Sequence, residues 1–190
     1  MKYIILLIGS GGREHAIAKT LLRTKDADSK IDLYCFATHN NPQLRRLSNQ
    51  MIIGKTIEDL EVFIEIISSI YDSEFSFPHT NLYNIYAIIG PENPIAGGFT
   101  DYLLSKGIQC VAPTKDYAQI ETSKIFARKL LDKYDLKQYN PKYIVNPGWE
   151  NKELDLMVLN DNLKEFNNNY VVKNDGLAGG KGVKLTEEHL

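Results

Sequence analysis

The chain has 190 residues, 43% of them hydrophobic and 24% charged, and its 22 Lys and Arg against 24 Asp and Glu leave a net charge of −2. That composition excludes collagenous, low-complexity and disordered classes. It supplies no basic excess for nucleic acid or for an acidic membrane surface. The length suits one large domain, or one domain and part of a second, far above the ~40 residues below which chains rarely fold unaided. Cys35 and Cys110 lie far apart in apolar segments. They read as buried reduced thiols of a cytoplasmic protein, not as a disulfide framework or a zinc site. The apolar run at the start breaks at Gly9 with no cleavage pattern after it. No run approaches the ~18 apolar residues of a membrane span.

Residues 3–8 form a short continuous apolar run, which suits a strand buried on both faces of a parallel sheet. Gly9-Ser10-Gly11-Gly12 breaks it, and 16–22 carries a helical face. A second strand is expected over 31–37, loop chemistry at Asn40-Asn41-Pro42, and a short third strand over 51–53. A helix follows over 57–70, with Leu60, Phe63, Ile64 and Ile67 at helical spacing. The run 83–89, ended by Gly90-Pro91, gives a fourth strand. One helix is expected over 95–106, closed by Gly107, and a fifth strand over 108–112. Strands alternating with helices predict an α/β domain: an open parallel sheet with helices on both faces. After Pro113 the pattern changes to a long helix over 119–134 and a strand over 143–145. Strands over 170–173 and 183–185 flank a glycine-dense loop, and Thr186 reads as a helix cap.

Two loops carry chemistry. The first, Gly9-Ser10-Gly11-Gly12-Arg13-Glu14-His15, joins a strand to a helix. Glycines there admit an anion to the backbone, and the helix N-terminus offers free N–H groups, so phosphate is the expected guest. A dinucleotide fingerprint would need Gly where Glu14 stands and an acidic residue where Thr38 and His39 stand, which disfavours a nicotinamide or flavin site. A tight turn without a ligand is the alternative. Arg13 can bond a phosphate or serve as solvated surface, and His15 can be a ligand or a structural polar residue. The second loop runs from Lys173 through Asn174, Asp175, Gly176, Leu177, Ala178, Gly179, Gly180, Lys181 and Gly182. It reads as a flap whose N–H groups fold over phosphates, or else as a plain hairpin. It is not a Walker A loop, because Asp175 holds the required first Gly position. Gly54-Lys55-Thr56 fails the same test at Asn49. Glu92, Asn93 and Pro94 end the fourth predicted strand on the same sheet edge as the first loop, where Glu92 can accept from sugar hydroxyls or be an ordinary loop carboxylate.

Together with Pro113-Thr114 and 119–124, these segments resemble the phosphoribosylamine–glycine ligases, in the family's order and at roughly its spacing. The resemblance implies a Rossmann-like pre-ATP-grasp domain over 1–112 and an incomplete ATP-grasp region over 113–190. It implies ATP-dependent joining of glycine to 5-phosphoribosylamine in purine biosynthesis, through a glycyl phosphate. It implies ATP with Mg²⁺ or Mn²⁺, small-molecule substrates, a cytoplasmic setting, and no nucleic acid, membrane or obligate protein partner. The first loop, Gly9 to His15, would hold the substrate's 5′-phosphate, and Glu92, Asn93 and Pro94 would face its ribose. Lys124 and Lys173 match the family's ATP-binding lysines, and Asp175 to Gly182 match its flap. The family carries Gly where Ala112 and Thr122 stand and Ala where Asn174 and Gly179 stand. The stretch 73–81 reads as an insertion, and 146–169 matches poorly. The family's chain is more than twice as long, and its further part carries the metal ligands and the glycine site. No metal ligand or catalytic residue is therefore expected within these residues. The 190 residues alone are expected not to catalyse ligation, as a fragment or a degenerate gene product; the alternatives are a non-catalytic phosphosugar- or nucleotide-binding fragment and another ATP-grasp enzyme of purine synthesis.

Overall fold

The computed structural model describes residues 2–23, 30–71, 84–145, 160–161, 163–167, 169–179 and 181–185. The expected insertion at 73–81, the start of the fourth strand at Tyr83, most of 146–169 and the cap at Thr186 lie outside these residues. The chain divides into two compact units, Met1–Ala118 and Gln119–Leu190.

The first unit is a five-stranded sheet, β1 (Lys2–Ile8), β2 (Lys30–Ala37), β3 (Gln50–Ile53), β4 (Asn84–Ile89) and β5 (Gln109–Val111), in the order β3-β2-β1-β4-β5. Every neighbouring pair is parallel. The helices are α1 (Gly12–Leu21), α2 (Pro42–Leu47), α3 (Ile57–Ile70), α4 (Glu92–Ala96) and α5 (Phe99–Ser105). Side chains alternate across a strand, so β1 feeds two cores. Ile4, Leu6 and Ile8 join Tyr34 and Phe36 of β2 under α3 and α5, which contribute Leu60, Phe63, Ile67, Phe99 and Leu103. Ile5 and Leu7 join Leu33, Cys35 and Ala37 under α1 and α2, represented by Ala18 and Leu44. Helices thus cover both faces, as the apolar runs predicted. Cys35 is fully buried and burial pushes its thiol up to about 11; both cysteines are free.

Three local expectations change. The single helix over 95–106 is two helices, because Gly98 takes a left-handed φ of +87° between α4 and α5. The helix α2 falls where only a loop was read. Asn41 accepts from the N–H groups of Gln43 and Leu44, and Pro42 opens the first turn. At six residues it is too short to show a period. The long helix over 119–134 is split into α6 (Lys115–Thr122) and α7 (Lys124–Lys133) by Ser123, whose Oγ caps α7 at the N–H of Phe126.

In the second unit, 143–145 is not a strand. The Tyr143 hydroxyl instead donates to Asp132 on α7 at 2.7 Å, and Asn140 bonds both Asp132 and the Arg128 carbonyl. β6 (Val171–Lys173) and β7 (Val183–Leu185) pair antiparallel. No described residue after Ala118 is fully buried. No described helix is long and apolar enough to cross a membrane.

At the amino ends of β1 and β2 sits a polar lock. Tyr71, just beyond α3, donates to the Asp32 carboxyl at 2.7 Å and shares a hydrogen bond with the Tyr34 hydroxyl at 2.8 Å. Lys2 reaches the same carboxyl at 3.0 Å. Burial pushes Asp32 up, but the Tyr71 hydroxyl and the Lys2 ammonium outweigh it and hold the carboxyl below its ordinary value. A carboxyl lowered in the folded state stabilises fully above its unfolded value of about 3.9 and loses that contribution as pH falls through the folded value. Tyr71→Phe should therefore cost about 1–3 kcal/mol in urea melts at neutral pH. The gap to wild type should narrow as pH is lowered from about 5 to about 3.

Candidate functional site

In an open parallel sheet, ligands bind beyond the carboxyl ends of the strands where the strand order reverses. Here the chain moves from β1 outward through β2 and β3, then returns to place β4 on the other side of β1. The reversal lies between β1 and β4. Gly9 follows β1 and Gly90 follows β4, and the Gly90 N–H donates to the Ile8 carbonyl at 3.0 Å. The two segments singled out in the sequence therefore meet at this crevice.

Glu14 fills its inner part. The side chain rises from the first turn of α1, is 3% exposed, and accepts the Gly11 N–H on Oε2 at 2.5 Å. A Cβ on Gly9, whose φ is +125°, would lie 2.7 Å from Glu14 Cγ and 2.8 Å from Pro91 Cδ. A Cβ on Gly90 would collide with Glu14 Oε1. These glycines leave room for the chain's own carboxyl group. Around Gly12, by contrast, a Cβ would meet nothing within 4 Å, and that side of the loop faces open space. Oε1 of Glu14 is buried with no hydrogen-bond partner among the described residues.

The rim is polar. Arg13 reaches across to Glu92 at the start of α4, Nη2 to Oε2 at 3.5 Å, with both side chains well exposed, so the pair contributes little to stability. Asn93 and Pro94 continue α4. The His15 N–H donates to the Gly11 carbonyl and its side chain is half-buried. Three residues absent from the sequence-derived set complete the rim on the β2 side. The Ser10 hydroxyl lies 3.0 Å from Thr38 Oγ1 and 2.9 Å from His39 Nδ1, and Asn41 donates to the Ser10 carbonyl at 3.0 Å. A polar run just after an apolar strand was the available signal.

The glycine-rich loop of the second unit closes between β6 and β7. The Asn174 N–H donates to the Gly182 carbonyl and the Lys181 N–H to the Ala178 carbonyl, both at 2.9 Å, with Gly176 and Gly179 at positive φ. The loop is pinned to the start of α7. Asp175 accepts from the Ser123 hydroxyl at 2.9 Å and the Ile125 N–H at 3.2 Å, and Lys124 Nζ donates to the Gly176 carbonyl at 2.8 Å. Burial pushes Asp175 up, but the Ile125 N–H and the Ser123 hydroxyl outweigh it and hold it below its ordinary value. Lys173 and Lys181 are exposed, as is Leu177, while Ala178 is half-buried. Gly180 lies outside the described residues. No group of three or more His, Cys, Asp or Glu that could hold a metal ion occurs among the described residues.

Residues 3–121 match a family model described as phosphoribosylglycinamide synthetase, N domain. Curated relatives called phosphoribosylamine–glycine ligase include those of Methanosphaera stadtmanae, 38% identical over 189 residues, and Methanopyrus kandleri, 34% identical over 187. Each alignment covers 98% of this chain and 36% of the relative, so the chain spans about a third of their length. Among solved structures, N5-carboxyaminoimidazole synthetase from Staphylococcus aureus in complex with ADP superposes with a TM-score of 0.61 at 13% identity, over 98% of this chain and 42% of that one. The N5-carboxyaminoimidazole ribonucleotide synthetase of Thermotoga maritima gives a TM-score of 0.52 at 12% identity, over 96% of this chain and 40% of that one. These structural likenesses establish the fold.

Gly90→Ala should drive the Glu14 carboxyl from its seat and destabilise the first unit by about 1–3 kcal/mol, read as a lower melting temperature. Gly12→Ala, with open space for its methyl, should leave that temperature nearly unchanged. Asp175→Ala should speed hydrogen exchange at the Ile125 amide, the donor it leaves unpaired.

Proposed function

The chain belongs to the phosphoribosylglycinamide synthetase N-domain family, and on that premise we propose that the protein carrying these residues joins glycine to 5-phosphoribosylamine with ATP. The observation that carries this reading is the crevice between β1 and β4. There an exposed glycine edge and Arg13 stand opposite Glu92, as a phosphorylated sugar requires. The phosphate would meet the amides at the start of α1 and the Arg13 guanidinium, and the ribose hydroxyls would meet Glu92 and Asn93. The domain boundary falls at about residue 112 in this reading, and the second unit contributes part of the ATP site.

The chemistry explains the need for ATP. A carboxylate is inert to amines, whereas an acyl phosphate carries a good leaving group. Transfer of the γ-phosphoryl group to the glycine carboxylate releases ADP. Attack of the substrate amine on the acyl carbon then expels phosphate and loses a proton. The chain's own part is positioning. Lys124, held at the base of the flap by the Gly176 carbonyl, and Lys173 and Lys181 would face the triphosphate. Asp175 anchors the flap to α7, and flap amides not already bonded within the loop would fold over the phosphates. Magnesium would neutralise phosphate charge when bound. The described residues offer no ligand set that fits it. The substrates are small molecules, and we assign the reaction to the cytoplasm, where two free thiols persist.

The full-length protein that carries these residues should release ADP only when glycine and phosphoribosylamine are both present. Release indifferent to either would overturn the reading. Calorimetry with ribose 5-phosphate should show binding to the first unit, and Arg13→Ala should weaken it about three- to tenfold, the weight of one exposed charge-assisted hydrogen bond.

A further inference from the structure

The hollow at the β1–β4 crevice is where a dinucleotide site in this kind of sheet takes its diphosphate, on the amides of a glycine loop. In this chain the hollow is already full. Glu14, 3% exposed as a residue, lies in it with one oxygen on the Gly11 N–H and the other against Gly90 with no partner among the described residues. A buried carboxyl oxygen left unpaired costs about 1–3 kcal/mol, so its retention needs a reason. The Gly11 amide that Oε2 occupies is a donor that a bound phosphate would otherwise take. A Gly or Ala at position 14 would complete the G-x-G-x-x-G/A pattern that begins at Gly9 and Gly11.

We infer that Glu14 sets the specificity of the crevice by acting as its built-in anion: it excludes a diphosphate from the inner position and leaves the rim beside Gly12 and Arg13 for a single phosphate. Glu14 does not touch the ligand. It is a positioning residue, working through the Gly11 amide and through the close approach of Gly9 and Gly90. The inference deepens the proposed function and rests on it for the phosphorylated sugar. The exclusion of diphosphate stands on the packing of Glu14 alone.

Inorganic pyrophosphate and ribose 5-phosphate, titrated separately by calorimetry, test this. Wild type should bind pyrophosphate no better than millimolar. Glu14→Ala, which empties the hollow, should bind it at least tenfold more tightly. Glu14→Asp guards against a folding failure. An Asp at the same helix position already serves α3, where Asp59 accepts from the Thr56 N–H, and its shorter side chain would withdraw from Gly90. It too should gain pyrophosphate binding. Glu14→Gln keeps the hollow filled and should stay within threefold of wild type, a result that a general loosening of the loop would not give. Tight pyrophosphate binding by wild type, or no gain in whichever of the Ala and Asp variants melts cooperatively, overturns the inference. A second arm uses wild type only. Ribose 5-phosphate should shift the amide resonances of Gly12 and Arg13 more than that of Gly11, and the reverse order overturns the inference. Absence of any ribose 5-phosphate binding would count against the proposed function and leave the pyrophosphate comparison to decide Glu14.

Discussion

The first unit depends on burying β1 on both faces. A central parallel strand has neighbours on either side and helices above and below, so almost every residue of Lys2–Ile8 must be apolar. Its odd and even side chains commit to different cores, one under α3 and α5 and the other under α1 and α2. With the strand fixed in this way, its carboxyl end has nowhere to go but into a tight loop at the crevice. The position of the site follows from that burial.

Within the crevice the governing contact is between the chain and itself. Glycines at a strand-to-helix turn are read most readily as room for a ligand. In this protein Gly9, Gly11 and Gly90 make room for Glu14, and the side of the loop beside Gly12 is the open one. The second unit shows a parallel economy: Asp175, which the flap motif presents as a phosphate-side residue, has its carboxyl on the start of α7. In both units an acidic side chain orders the glycine loop.

The strands and α3 were legible because each has a strong local signal: a continuous apolar run, or Leu60, Phe63, Ile64 and Ile67 at helical spacing. The failures share a cause as well. Helix α2 is stabilised by Asn41 and Pro42 and not by a long face, and the breaks at Gly98 and Ser123 are single-residue events inside otherwise helical composition. The 143–145 segment has strand-like residues, but its tyrosine is claimed by Asp132. Local preference yielded to a capping group, to a left-handed glycine or to a side-chain partner.

The sequence alone was enough for the α/β class, the five strands of the first unit in chain order, the two glycine loops and the family they resemble, because all of these are written in short-range periodicity and motif. Only the tertiary structure decided what those loops contain. That Glu14 lies against Gly90, that Ser10 meets Thr38 and His39, and that Asp175 caps the region of Ser123 are contacts between residues far apart in the chain. Periodicity carries no distance between such residues. In the first unit the parallel sheet does, by bringing the carboxyl ends of β1, β2 and β4 to one edge.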